Sequence, residues 1–305
     1  MQLTLGPVLY HWPPDRWRDF YYRIADEAPV GTVVLGEVVC SKRTPFKQDH
    51  IAGVVERLEA AGKRVLHASL ILVSLPRERR QTRELMGAQD AEVEINDLTC
   101  LASLAEKPFA VGPFVNVYNE AAAGFLAERG AMRICLPPEL ALPTVATIAA
   151  ALPQLAIEVF AFGKIPLAIS ARCYHARAHN LTRDNCRFVC EQDPDGMPVT
   201  TIDGAGFLSV NGVQTLSHGC TSLLLDIPAL RKAGVASLRL SPQDCDMVAV
   251  ARLFREVIDG EIGPAEGERR LSEIYPDVPL ANGFLHGAAG HVRMGASGAG
   301  LGEMC

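Results

Sequence analysis

The chain has 305 residues, of which 49% are hydrophobic, 6% aromatic and 21% charged, and its 29 basic and 35 acidic side chains give a formal charge of -6. That is enough apolar material for one large domain or two medium ones around a mostly aliphatic core, and the acidic balance excludes capture of nucleic acid by the surface as a whole. No apolar run approaches the roughly 18 residues of a transmembrane helix, so no membrane span is expected. Residues 1–10 lack a basic leader and run into Pro13-Pro14, which argues against a secretory signal and for a cytoplasmic location. In a reducing compartment nine cysteines, an odd number, are expected to be core fillers, redox groups or metal ligands rather than a disulfide framework.

In chain order the pattern predicts a strand at 3–9 and a helix at 15–27, with Trp17, Phe20, Tyr21 and Ile24 on one face. A β-branched strand at 31–40 (GTVVLGEVVC) precedes a helix at 49–61 marked by Ile51, Val54, Val55 and Leu58. A strand at 64–73, a helix at 77–86, a strand at 91–95 and a short helix at 98–105 come next. A strand at 109–117, a helix at 120–129, a strand at 132–136, an Ala-rich helix at 140–152 and a long strand-like run at 156–169 complete the regular part. Near-continuous apolar strands alternating with helices imply a parallel sheet buried on both faces. With at least seven such units and no G-x-G-x-x-G fingerprint, the expected class is α/β, as a closed TIM-like β/α barrel rather than an open doubly wound sheet. After Ser170 the alternation breaks, and a polar cysteine-bearing segment, 171–203, is inserted. A strand at 207–213, a helix at 227–233, a strand at 237–240 and a helix at 244–258 follow. One domain is expected over 1–290, with a mobile Gly/Ala-rich tail at 291–305.

The inserted segment ARCYHARAHNLTRDNCRFVC places Cys173, Cys186 and Cys190 in a C-x12-C-x3-C spacing. A polar loop is a poor place for a cysteine used as a small hydrophobe, and thiolates bind iron–sulfur clusters and zinc strongly. Arg172, Arg177, Arg183 and Arg187 would offset the negative charge of a thiolate-bound cluster and lower the thiol pKa. Zinc, completed by His175 and His179, remains open at this point, and so does a set of incidental loop cysteines. For a fourth ligand Cys135, Cys100 and Cys245 sit in or beside predicted apolar elements, Cys305 is in the tail, and Cys220 follows a turn. Cys40 is the better candidate because it ends a barrel strand, where barrel enzymes place functional groups, and polar Ser41-Lys42-Arg43 follow it.

The stretches Leu35-Gly36-Glu37-Val38-Val39-Cys40-Ser41-Lys42-Arg43, Phe162-Gly163-Lys164-Ile165-Pro166-Leu167-Ala168 with Ser170-Ala171-Arg172-Cys173, Val210-Asn211-Gly212-Val213-Gln214-Thr215-Leu216-Ser217 and Leu238-Arg239-Leu240-Ser241-Pro242-Gln243 resemble UbiV-type members of the collagenase-like peptidase family. The resemblance runs from the first strand to about His286 and implies a β/α-barrel-like fold. It implies a 4Fe-4S cluster on Cys40, Cys173, Cys186 and Cys190. It further implies oxygen-independent ring hydroxylation of a ubiquinone precursor, as a heterodimer with a UbiU-like protein and alongside a UbiT-like lipid-binding protein. Four cysteines fill all four iron sites of such a cluster, so electron transfer is expected rather than substrate binding at iron. Peptidase-annotated members usually carry Asn-Arg-Gly shortly before the second loop cysteine, where this chain has Arg183-Asp184-Asn185; that departure counts against the alternative, peptide hydrolysis.

No G-x-S-x-G elbow, H-E-x-x-H zinc helix or G-x-x-x-x-G-K-[ST] phosphate loop occurs. Glu37, His67, Asn96, Asn116 and Asn119 fall near predicted strand ends, as candidates for a pocket at the barrel mouth or for helix caps. His218 and the His11-Trp12 pair are equally compatible with binding and with structural roles, and Lys42-Arg43 and the 77–80 stretch read as solvated surface.

Overall fold

A computed structural model describes residues 1–104 and 107–295. The first half runs β1 (Gln2–Leu5), α1 (Pro14–Glu27), β2 (Thr32–Leu35), α2 (Gln48–Ala60), β3 (Arg64–Ala68), α3 (Pro76–Gly87), β4 (Val93–Ile95), β5 (Phe109–Val111), α4 (Glu120–Ala127), β6 (Ala131–Leu136) and α5 (Leu142–Ala151). The second half runs β7 (Ala156–Ile169), α6 (Tyr174–Ala178), β8 (Met197–Thr200), β9 (Gly206–Asn211), β10 (Gln214–Ser222), α7 (Ile227–Lys232), β11 (Ser237–Leu240), α8 (Met247–Asp259), α9 (Pro264–Ile274) and β12 (Leu280–Ala281). Strands β1 to β7 pair in sequence order, and β11 closes the ring between β7 and β1. The result is the expected TIM-like barrel of eight parallel strands; Leu5, for example, lies opposite both Leu240 and Val33.

Several strands are shorter than their apolar runs predict. β1 ends at Leu5, β2 at Leu35, β3 at Ala68 and β5 at Val111. The apolar residues beyond those ends are buried all the same. Leu9, Val38, Val39 and Ile71 fold over the C-terminal mouth and pack with Val213 into a separate small cluster that closes it. Hydrophobic periodicity reports burial, and here burial is achieved by loops. At the end of β2 the break is Gly36, whose φ of 142° favours glycine and whose added Cβ would lie 3.0 Å from the Ala68 carbonyl oxygen.

The barrel interior is held by ions rather than left hollow. Arg239, buried on β11, bonds Glu158 on β7 at 2.6 Å and Glu94 on β4 at 2.9 Å. Thr4 and Ser237 also donate to Glu158, at 2.6 and 2.9 Å. Burial pushes the Glu158 carboxyl up, but Arg239 and Arg133 more than offset it and keep the group ionised.

β7 does two jobs. Its first half pairs with β6 and β11 inside the barrel, and its second half leaves the ring to pair antiparallel with β10. The switch falls at Gly163, with φ 129°, where a Cβ would sit 2.7 Å from that of Ser241. The insertion is therefore longer than 171–203: it includes the antiparallel β8–β9–β10 sheet and returns to the barrel only after Ser222. The predicted helix at 98–105 is a single 3-10 turn, Leu98–Ala102, capped by Asp97, whose carboxylate accepts from the Thr99 N–H at 2.8 Å; residue 105 lies outside the described residues. Of the tail, residues 291–295 are fastened to the body: Asn282 accepts from the Met294 N–H at 2.7 Å, and Arg293 donates to the Ser222 carbonyl at 3.0 Å. The mobility expected of the tail beyond that point concerns residues outside those described. Among the described residues, no helix is long and apolar enough to cross a membrane.

Candidate metal centre

Cys40, Cys173, Cys186 and Cys190 line a single pocket at the C-terminal face of the barrel, together with Lys42, Arg43, His175, Arg183, Phe188 and the Gly212-Val213 turn. Two separate chain segments meet there. Cys40 lies five residues beyond the end of β2 and caps the 3-10 turn Ser41–Phe46, rather than ending the strand itself. The other three come from the insertion that follows β7: Cys173 is the N-cap residue of α6, and Cys190 sits in the 3-10 turn Val189–Gln192.

Each limb is pinned by a buried carboxylate. Glu37 accepts from the backbone N–H groups of Val39 and Cys40 at 3.0 and 3.1 Å, and its other oxygen pairs with Lys47 at 2.9 Å. Burial raises the Glu37 carboxyl, but Lys47 and Arg43 more than reverse this, so it stays ionised as the clamp requires. Glu78 on α3 accepts from the Ser41 hydroxyl at 2.8 Å and from Arg183 at 3.2 Å, joining the Cys40 limb to the insertion. Between Cys186 and Cys190 the chain takes two successive left-handed residues, Arg187 (φ 48°) and Phe188 (φ 53°), which turn both cysteines to the same pocket at a backbone strain of order 1–3 kcal/mol each. Phe188 is braced against Phe46 and His11, with ring centroids 4.7 and 5.6 Å away.

The charge that faces the sulfurs is not the one expected from the loop. Arg172, Arg177 and Arg187 are exposed, and Arg183 alone of that set lines the pocket. The principal cation is Arg43, which the sequence pattern assigned to solvated surface; it is 1% exposed, donating to the Leu9 carbonyl at 2.9 Å and to Asn211 at 3.0 Å. Burial works against its charge, and Cys190, Glu37 and Cys40 more than hold it in place. Gly212 follows from this: a Cβ there would fall 2.9 Å from the Arg43 guanidinium. Lys42 donates to the carbonyls of Arg183 and Asp184 and lies 3.6 Å from Cys186 Sγ. Neither residue could be placed from a pattern in which short basic pairs are usually solvated.

The residues fit an iron–sulfur cluster better than a single zinc ion. A zinc ion bound at about 2.3 Å by thiolates draws the sulfurs to within about 3.8 Å of one another. Among the described residues, no three of these sulfurs lie within 4.8 Å of each other, although all four face one pocket. A cluster with a separate iron for each thiolate needs that wider spacing. The Nε atoms of Arg43 and Arg183 are buried without a hydrogen-bond partner, which suits an anionic group beside them, and the Ala176 N–H already donates to Cys173 Sγ at 3.4 Å. Burial pushes the Cys40 and Cys173 thiols up, the opposite of the lowered thiol of a cysteine nucleophile.

The remaining sequence candidates have structural places. Cys100, Cys135 and Cys220 are buried away from the pocket, Cys135 beside the Arg239–Glu158–Glu94 ion cluster of the barrel interior, which removes Cys220 as a ligand to this pocket. Asn119 caps α4 through the Ala122 N–H at 2.8 Å, and Asn116 takes the left-handed position (φ 60°) after a 3-10 turn. Asn96 bonds Ser69 inside the barrel, while His67 lines a separate cavity between α2 and α3. Trp12 donates to the Pro194 carbonyl at 2.7 Å, tying the insertion to the first β/α loop.

Among solved structures the chain is similar to N-acetylneuraminate lyase from Fusobacterium nucleatum, in complex with pyruvate, at 9% identity and a TM-score of 0.49 over 90% of this chain and 80% of that one. The model of peptidase family U32 matches residues 15–294, a span that contains seven of the eight barrel strands, the insertion and all four pocket cysteines. The chain belongs to peptidase family U32, the collagenase-like peptidase family.

Proposed function

We propose that this chain is a 4Fe-4S protein of the UbiV type, working in the cytoplasm in oxygen-independent ring hydroxylation during ubiquinone biosynthesis. In this reading it pairs with a UbiU-like protein and acts beside a UbiT-like lipid-binding protein that presents the ubiquinone precursor. The observation that carries the reading is the meeting of Cys40 with Cys173, Cys186 and Cys190 at one cation-lined pocket, where no three of the sulfurs lie within 4.8 Å of one another. Bound there, the cluster supplies one-electron transfer. Glu37 and Glu78 hold the two limbs in register, Arg43 and Lys42 offset the thiolate charge, and the apolar layer of Leu9, Val38, Val39 and Val213 separates the pocket from the barrel interior.

Purification without oxygen tests this. The expected product is brown, with about four irons and four acid-labile sulfides per chain, and substitution of any one of the four cysteines by alanine depletes both. Stoichiometric zinc with neither iron nor sulfide would overturn the cluster and leave a zinc-stapled binding module. Restoration of ubiquinone synthesis in anaerobic cells by co-expression with the UbiU-like partner tests the pathway. Family membership favours a second reading, a collagenase-like peptidase. Hydrolysis of gelatin or a collagen-like peptide by the isolated chain, abolished by a pocket substitution, would establish it instead.

A further inference from the structure

A second group of metal-ligand side chains adjoins the thiolate pocket, sharing with it the wall residue His175, and includes none of the four cysteines. His175 and His179 are four residues apart at α6 and its C-terminal boundary, a spacing that brings both rings to one side. The rings are stacked, with centroids 5.8 Å apart and planes 10° from parallel. Asp193, just after the turn that carries Cys190, brings a carboxylate oxygen to 2.8 Å from His175 Nε2. One nitrogen of each imidazole and one Asp193 oxygen all lie within 4.8 Å of one another. Metal bonds of about 2.0–2.2 Å place neighbouring ligand atoms about 3.0 Å apart at a right angle and about 3.4 Å apart in a tetrahedron; His175 and Asp193 are already at 2.8 Å, and rotation of the exposed His179 side chain supplies the closure that remains.

His175 supplies the independent observation. It is fully buried, and neither ring nitrogen has a hydrogen-bond partner among the described residues. The contact with Asp193 is close but lacks the direction of an N–H···O bond. A buried imidazole left unsatisfied beside a carboxylate is costly unless a third group completes the set. His179 is exposed and Asp193 half-buried, which leaves an entry path and open coordination positions on the solvent side.

We infer that His175, His179 and Asp193 form a second, mononuclear site for a divalent first-row transition metal, distinct from the thiolate set. Two imidazoles and one carboxylate with open positions are a donor set that suits zinc, ferrous iron or manganese. A metal there joins α6, whose N-cap is Cys173, to Asp193 just after the turn that carries Cys190, and so cross-links the two stretches of the insertion that carry the pocket cysteines. This site stands whether or not the cysteines hold a cluster.

Cobalt(II) titration of the chelator-treated full chain, under argon, is the test. One equivalent is expected to give only weak visible d–d bands, without the intense near-ultraviolet sulfur-to-cobalt charge transfer that binding at the cysteines would add as a separate step. His179→Ala, at an exposed position, is expected to weaken that sulfur-free equivalent at least about 100-fold, since loss of a direct ligand exceeds the 10–100-fold typical of outer-shell changes. Its metal-free melting curve and thiol count should remain those of the parent. Asp193→Asn is expected to weaken the same equivalent. Cobalt bound solely with sulfur charge transfer, or an unchanged sulfur-free equivalent in His179→Ala, would overturn the site.

Discussion

Lys47→Met gives the sharpest test of how the Cys40 limb is built. Lys47 and Glu37 form an ion pair at 2.9 Å with both side chains 2% exposed, so neither group has water to fall back on. Removing one member of a buried pair typically costs 3–5 kcal/mol because the remaining charge is stranded. Arg43 also stabilises the Glu37 carboxylate, and two backbone N–H groups solvate it, which places the expected loss near the lower end, about 3 kcal/mol. At roughly 2 °C per kcal/mol for a chain of this size, the melting temperature should fall by about 6 °C at pH 7. The pH dependence identifies the cause. In the parent, the folded Glu37 pKa lies below its usual 4.5, so its contribution is present above that value and fades as pH falls through the folded pKa. In Lys47→Met the carboxyl is destabilised as an anion and its pKa rises, so the deficit is largest at neutral pH and shrinks as acid protonates it. Glu37→Gln added to Lys47→Met should recover most of the loss. Circular dichroism melts from pH 5 to 8 provide the measurement; a deficit independent of pH, or a double variant no better than the single one, would refute the stranded-charge argument.

Three other outcomes follow from the same geometry. Glu78→Gln should lower stability by about 1–3 kcal/mol, since two backbone N–H groups, the Ser41 hydroxyl and Arg183 converge on that carboxylate, and iron content after anaerobic reconstitution should fall with it. Gly163→Ala should shift the urea midpoint by the equivalent of at least about 2 kcal/mol with m unchanged, because φ 129° and a 2.7 Å approach to Ser241 Cβ oppose a side chain where β7 leaves the barrel. Burial, aided by Arg43 and Lys47, lowers His11 from its usual 6.5 to about 4. The unfolded chain therefore binds the extra proton first, and stability contributed by neutral His11 should be lost as pH falls from about 6.5 to about 4. His11→Phe should flatten that part of the melting-temperature profile; an unchanged slope would assign it to other groups.

How far the sequence could be read varied with what each pattern measures. The run at 156–169 and the strand at 237–240 match β7 and β11 residue for residue: the first half of β7 and all of β11 are buried in the barrel wall, and the outer half of β7 continues the same extended run after it leaves the ring. β10 was not predicted: its sequence QTLSHGCTS neither alternates nor stays apolar, and it becomes a strand by pairing with the outer half of β7. α9 was missed for a related reason, since Gly267 and Leu271 are its only buried residues. The C-x12-C-x3-C spacing marked the insertion as unusual, but a local spacing carries no information about a fourth cysteine more than 130 residues earlier in the chain. The lysine and arginine that face the sulfurs were hidden because an isolated Lys-Arg pair gives no local sign of burial.

By itself the sequence determined the alternation of strands and helices, and hence the parallel barrel, because periodicity and burial are written along the chain. It also marked three of the pocket cysteines as too polar in setting to be core. The family resemblance and the place of Cys40 after a strand put it forward as the fourth; tertiary structure alone decided that Arg43 rather than the loop arginines supplies the buried charge, and that Glu37 and Glu78 hold together the two limbs that meet at the pocket. Those are contacts between segments brought together by closing the barrel and by the departure of β7 from it. Their energies depend on burial and distance, which no one-dimensional pattern encodes.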